Sequence, residues 1–192
     1  MEFPTFVWST TFKWNNILED KVTIKRASQD EFDKIHQLNH QVFAEEIPQH
    51  RKTSDGKLID PFHDLNKYIV AMRDAELIGM VCYNNQRPFS LDKKLNDLDS
   101  YLPAHKSMVE IRLFSVKPEY RRKGVAVKML VKLIEELMSQ QVDLAVISAI
   151  VWELDFYKKF GAVEFAHRVG TEQAPYQPMY FHIDNLQTGF IK

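Results

Sequence analysis

One cysteine in 192 residues, Cys82, rules out an intramolecular disulfide, so packing and hydrogen bonding must hold this chain together. Cys82 lies in the apolar stretch Met80-Val81-Cys82-Tyr83, the setting of a buried inert thiol rather than of a nucleophile. No apolar run approaches the ~20 residues of a membrane span. Met1-Glu2-Phe3-Pro4 is not followed by the basic and apolar blocks of a secretion signal, so a cytoplasmic protein is expected. Excess charge of one sign is also missing. The 25 Lys and Arg against 26 Asp and Glu leave −1, so no global pull acts towards nucleic acid or an anionic membrane, and any anion site must be local. Glycine is scarce, at 6 residues, and its spacing makes neither a dinucleotide fingerprint, nor a P-loop, nor a Gly-x-Ser-x-Gly elbow. Lys93, Lys94 and Lys106 are dispersed and balanced by Asp92, Asp97 and Asp99, which excludes a nucleic-acid surface. His36 and His40 have the spacing of half a metal site but lack a third ligand. His50 and His63 with Asp55, Asp60 and Asp64 read as polar loop, and no metal is expected.

What is present fits one domain: 45% hydrophobic and 27% charged residues are ordinary for a globular protein. The aromatic residues 1–21, with Phe6, Trp8, Phe12 and Trp14, read as an N-terminal arm, and 22–192 as the domain. Val22–Ala27 alternates like a strand, and Ser28-Gln29-Asp30-Glu31 is a capping box opening a helix with Phe32, Ile35, Leu38, Val42 and Phe43 on one face. Lys67–Arg73 and Leu77–Tyr83 flank a short turn, as in a β-hairpin, between two long polar loops, Pro48–Asn66 and Asn84–Ser107. Loops this long in a compact domain tend to be functional. Met108–Val116 reads as a strand stopped by Pro118, and Val125–Gln140 as a helix with Ala126, Leu130, Leu133 and Leu137 in a stripe. A strand Asp143–Ser148, a helix Trp152–Phe160 capped by Gly161, and strands Val163–Val169 and Pro178–Ile183 follow. The order β-α-β-β-β-α-β-α-β-β predicts an α/β (α+β) fold with a mixed central sheet of about six to seven strands and about three to four flanking helices.

The sharpest local signal is Val116-Lys117-Pro118-Glu119-Tyr120-Arg121-Arg122-Lys123-Gly124-Val125-Ala126, where a strand ends, a basic turn follows and a helix begins. A helix N-terminus offers backbone N–H groups without intrahelical partners, together with the positive end of the dipole. Gly124 and the small Ala126 leave room for a phosphate to reach those groups, and Arg121, Arg122 and Lys123 add three positive charges. Basic charge at a helix N-terminus is unfavourable unless an anion compensates it, which favours a ligand over a solvated face.

Arg121-Arg122-Lys123-Gly124-Val125-Ala126 resembles the pyrophosphate-binding signature of the GNAT acyltransferases, Gln/Arg-x-x-Gly-x-Gly/Ala. Leu113-Phe114-Ser115-Val116 before it matches the strand context, and Phe156-Tyr157-Lys158-Lys159-Phe160-Gly161 looks like the family's Tyr-x-x-x-Gly element. Ile150 and Glu153 stand where members often carry Asn and a small residue. The resemblance implies a GNAT fold and transfer of an acyl group from acetyl-CoA or another acyl-CoA to a small-molecule amine, by direct attack in a ternary complex. Coenzyme A contacts would then fall on Phe114, Ser115, Val116, Arg121, Arg122, Lys123, Gly124, Val125 and Ala126. Tyr157 matches the general acid that protonates the departing thiolate, its other reading being a packed tyrosine. Glu110 is the candidate general base, its other reading an ion pair with Arg112 on the same sheet face. Glu45, Glu46, Asp60 and Asp64 would attract a cationic acceptor or form a solvated acidic face.

Val42-Phe43-Ala44-Glu45-Glu46, Arg87-Pro88 and Glu110-Ile111-Arg112 look somewhat like the long-chain N-acyl amino acid and acyl-homoserine lactone synthases, although Asn39 replaces their usual arginine. That likeness implies acyl carrier protein as an alternative donor. A non-catalytic acyl-CoA sensor is the third reading, and a homodimer the assembly considered.

Overall fold

The computed structural model describes residues 22–185; the expected arm over 1–21 lies outside them. Strand β1 (Val22–Arg26) leads through the Ser28 capping box into helix α1 (Phe32–His40), prolonged by a π-helical turn over Gln41–Glu46. Strands β2 (Lys67–Arg73) and β3 (Glu76–Asn84) form the expected hairpin, with Asp74 at φ 52° in its tight turn. Strand β4 (Met108–Val116) precedes helix α2 (Val125–Ser139) and strand β5 (Leu144–Ile150). A 3-10 turn (Val151–Glu153) and helix α3 (Leu154–Lys159) divide the single helix expected from Trp152 to Phe160. Strands β6 (Val163–Glu164), β7 (Val169–Gly170) and β8 (Pro175–His182) follow. The strand expected over Val163–Val169 is broken because Ala166 sits at φ 52°, which gives eight strands among the described residues rather than seven.

The sheet order is β1-β2-β3-β4-β5-β8-β6, with β7 on β8. Every pairing is antiparallel except β4 with β5. Alternation across the pleat decides what each face buries. On β2, Ile69 and Ala71 face the core built with Met129, Leu130, Leu133 and Leu137 of α2, while Tyr68, Val70 and Met72 face Ile35, Leu38 and Val42 of α1. Both faces are covered, so β2 reads as a continuous apolar run, as strands buried on both sides do. Within α2 the buried stripe is Val125, Met129, Leu130, Leu133, Ile134 and Leu137, whereas Ala126, expected on it, is only partly buried.

The parallel register of β4 and β5 runs from Met108↔Leu144 to Ile111↔Ile147 and stops. Beyond it β5 continues against β8 as far as Ile150↔Tyr176, while β4 continues against β3 as far as Val116↔Gly79. The two central strands therefore part company, and the sheet opens at its middle.

Two stability predictions follow from these contacts. A Cβ on Gly79 would lie 3.0 Å from Met129 Cε and 3.1 Å from the Ser115 carbonyl oxygen, so Gly79→Val should cost about 1–3 kcal/mol by overpacking, read from the urea midpoint. Lys25 Nζ at 2.6 Å, with the Ser28 N–H and hydroxyl, holds the Glu31 carboxyl down from 4.5 to about 2. A carboxylate whose folded pKa is depressed stabilises the fold above its unfolded pKa and loses that contribution as pH falls through the folded one. The melting temperature should thus fall between pH 4.5 and 2, and fall less in Glu31→Gln.

Candidate active site

The opening between β4 and β5 is the mouth of a cavity of about 990 Å³. Its walls are the first turn of α2, the segment Arg112–Val116 of β4, Phe156 and Tyr157 of α3, and Val42, Phe43 and Glu46 from the π-helical turn. The extra residue of a π turn changes which side chains face inwards, and such turns recur at functional sites.

Strand β4 carries a bulge here. Its register with β3 shifts between Met80 and Cys82, and Leu113 takes φ 53°. A non-glycine residue held there stores about 1–3 kcal/mol, tolerated where the surroundings fix it. Past Ile111 the β4 backbone has no β5 partner, so peptide groups of the bulged segment face the cavity. Phe114, Ser115 and Val116 line it, and the Phe114 ring lies 5.9 Å from that of Phe156.

At the end of β4 the basic turn delivers Gly124 at φ 78°, in the left-handed region that favours glycine, as the cap of α2. No side chain caps this helix, and its first hydrogen bond runs from the Lys128 N–H to the Gly124 carbonyl at 3.0 Å. The N–H groups of Val125, Ala126 and Val127 are therefore without intrahelical acceptors. Arg122, Lys123, Gly124 and Ala126 line the cavity at this point, while Val125 is buried in the core. Arg121 behaves differently from the sequence expectation of three available cations. Its Nε donates to the Val116 carbonyl at 2.9 Å and its guanidinium pairs with both carboxylate oxygens of Glu46, which ties the turn to the end of α1's extension.

Tyr157 is 9% exposed and lines the cavity. Burial, with Glu153 and Tyr176 nearby, pushes its phenol pKa well up, so it carries a proton throughout the neutral range. Glu153 also lines the cavity.

Glu110 is 1% exposed, and both of its oxygens are engaged. It accepts from the Ser90 N–H at 2.8 Å, the Ser90 hydroxyl at 2.6 Å and the Leu91 N–H at 3.0 Å, and Arg112 Nε lies 3.5 Å away. Arg112 in turn donates two bonds to Asp60, at 2.6 and 2.8 Å, with its guanidinium over the Phe62 ring at 4.5 Å. Two residues on one face of β4 thus pin both long loops, Asn84–Ser107 through Glu110 and Pro48–Asn66 through Arg112. The acidic residues expected to draw a cationic acceptor are mostly committed: Asp60 to Arg112, Glu46 to Arg121, and Glu45 to His40 Nδ1 at 3.0 Å. Sequence reasoning offered the Glu110–Arg112 pair as one reading of Glu110, but missed the contacts of both residues with the loops, and missed Lys94, which lines the cavity 5.7 Å from the Tyr176 ring. Pairings across 52 or 75 residues leave no periodic trace. Among the described residues, no helix is long and apolar enough to cross a membrane, and no cluster of three or more His, Cys, Asp or Glu could hold a metal ion.

A family model described as an acetyltransferase (GNAT) domain matches residues 23–165. The search of curated proteins finds no match. Among solved structures, the CoA-dependent acyl-homoserine lactone synthase BjaI, with SAM and isopentyl-CoA, is similar at 17% identity and a TM-score of 0.73, over 88% of this chain and 87% of that one. FeeM, an N-acyl amino acid synthase from uncultured soil microbes, is similar at 11% identity and a TM-score of 0.68, over 89% of this chain and 96% of that one. The yncA protein of Salmonella typhimurium, a putative acetyltransferase solved with acetyl-CoA, is similar at 17% identity and a TM-score of 0.59, over 85% of this chain and 94% of that one. At these identities the likeness is one of fold.

Removing the Glu110 carboxylate should release the second loop. Glu110→Ala leaves the Ser90 and Leu91 N–H groups and Arg112 without their anion, and the expected cost is about 3–5 kcal/mol. Amide exchange should quicken over residues 89–95 well ahead of the β2–β3 hairpin.

Proposed function

The chain belongs to the GNAT acetyltransferase family, and from that premise we propose that it moves an acyl group from coenzyme A to a small-molecule amine. The observation that carries the proposal is a convergence on one cavity: the unpaired β4 bulge, the uncapped start of α2 and the Tyr157 phenol all open onto it. Neighbours named as acyl-homoserine lactone synthases, an N-acyl amino acid synthase and an acetyltransferase support acyl transfer to small molecules.

The pyrophosphate of the donor occupies the start of α2, held by the N–H groups of Val125, Ala126 and Val127 and by Arg122 and Lys123. Its pantetheine arm lies in the gap where β5 would otherwise pair with β4, bonded to the backbone of Phe114–Val116. The thioester carbonyl then meets backbone N–H groups of the bulge, fixed donors that stabilise the oxyanion as it forms. The neutral amine attacks the carbonyl carbon, and as the C–N bond forms the excess proton on its nitrogen passes to water in the cavity. As the intermediate collapses the C–S bond breaks, and Tyr157 gives its proton to the leaving thiolate, later recovering one from solvent. Glu110 serves in this reading as a positioning group rather than as the base, because its oxygens already accept from Ser90 and Leu91.

Calorimetric titration with acetyl-CoA tests the donor site. The double change Arg122→Glu, Lys123→Glu should weaken binding by about a hundredfold or more, since two charge-assisted contacts become repulsive. Tyr157→Phe should bind acetyl-CoA normally and lose about a hundredfold or more in kcat in a thiol-release assay. Binding with no turnover on any amine would replace catalysis by a sensor role. Failure to bind acetyl-CoA, long-chain acyl-CoA and acyl carrier protein alike would end the acyltransferase reading.

A further inference from the structure

We infer that the acceptor is an amine that also bears a carboxylate, an amino acid or close analogue, and that Lys94 binds the carboxylate. The inference rests on the acyl-transfer reading and names the substrate class of that site.

The charges around the cavity are sorted by their commitments. Asp60 and Arg112 satisfy one another, Glu110 is filled by Ser90, Leu91 and Arg112, and Glu46 is filled by Arg121. Lys94 is the cation left over on this inner wall. It lines the cavity with its ammonium near the Tyr176 ring, and among the described residues no carboxylate or hydrogen-bond acceptor takes it up. Its side chain is exposed to the solvent-filled cavity, and neighbouring protein still lowers its pKa by desolvation, with Glu110 supporting the charge and Arg112 opposing it. An anion arriving from solvent offsets that cost, which is what a site does when it is built for one.

Its placement is firm. Lys94 ends the 3-10 turn Leu91–Lys93, its N–H bonded to the Leu91 carbonyl at 3.0 Å, and that turn hangs from Glu110. A binding group held by a buried clamp needs little ordering when the ligand arrives. Beside it, Gln49 accepts the Tyr176 hydroxyl through Oε1, so its amide NH₂ is a second donor for the same wall. One ammonium and one amide suit a carboxylate, which carries a single charge.

The position separates this cation from the donor's phosphates. Glu110, which anchors the Lys94 turn, and Val116, where the phosphate turn begins, are six residues apart on β4, roughly 20 Å at ~3.3 Å per residue. The reacting carbonyl lies between them, so a molecule held at Lys94 approaches from the side opposite the donor. The acidic acceptor pocket that the sequence suggested is replaced by a basic one.

Thiol release should be measured with acetyl-CoA and a long-chain acyl-CoA on matched acceptors: leucine, leucinamide and 3-methylbutylamine, then phenylalanine, its amide and phenethylamine. The acid of each set should exceed both partners by about tenfold or more in kcat/KM, the worth of one charged contact. Lys94→Met should abolish that preference by raising KM about ten- to a hundredfold with kcat within a few-fold, while acetyl-CoA binds as before. Lys94→Arg should keep the preference, because a guanidinium pairs with carboxylate but cannot serve as a base. Equal use of acids, amides and plain amines overturns the inference and leaves acyl transfer standing. So does a kcat loss shared by Lys94→Arg and Lys94→Met at unchanged KM, which would mean proton transfer. Absence of turnover with every acceptor overturns both.

Discussion

The pairing of β4 with β5 ends after Ile111 and Ile147, and the rest of the site depends on that interruption. A sheet interior normally leaves no backbone group free, since an unpaired buried N–H or C=O costs as much as a lost hydrogen bond. Here β5 keeps its full ladder with β8, and β4 keeps most of its ladder with β3 through the bulge at Leu113. Only the inner edges are left open, and the cavity between them gives those peptide groups a ligand or solvent to face. The close seating of α2 on β3 at Gly79 fixes the helix whose first turn closes one end of the gap.

Strand β4 also organises the two long loops beside the cavity. Side chains two apart on a strand share a face, so Glu110 and Arg112 point the same way and meet opposite loops. Glu110 is buried and Arg112 partly so, and each is satisfied by more than one partner, the condition under which a buried ion stabilises rather than harms a fold. Long loops have little structure of their own to hold them, and these two are held at the place where the substrate would enter. The Asx-type contacts of Asp60 with the Phe62 N–H at 2.8 Å and Asn66 at 3.0 Å extend the clamp into the first loop.

The charge pattern around the cavity follows from which ions find partners. A near-neutral chain carries Arg122 and Lys123 at one end of β4 and the ammonium of Lys94 at the other, while Asp60 and Glu46 are paired with arginines. Arg121 shows why a signature residue need not do what its neighbours do. It lies beside the helix start, yet its fork meets Glu46 and its Nε meets Val116, so it closes the wall between α1's extension and the basic turn.

Much of the architecture was legible from local periodicity. The capping box at Ser28, the hairpin about Asp74, the stripe of α2 and the strand-turn-helix at Gly124 are set by residues within a few positions of one another, and local preference agrees with the fold there. Ala166 in the left-handed region is the exception, since alanine gives no warning that a strand will break. The candidate donor site was legible for the same reason: a basic turn, a glycine and a helix start are contiguous, and their chemistry needs nothing from afar. The acceptor side was not. Whether Glu110 faces a substrate or a loop, whether Arg121 is free or paired, and whether Lys94 stands alone are settled by contacts between segments 20 to 75 residues apart. Sequence by itself determined most of the elements, their order and the basic turn before α2, because those rest on interactions between near neighbours. Only the tertiary structure decided which charges remain unspent, because a charge is neutralised by whatever the fold brings beside it.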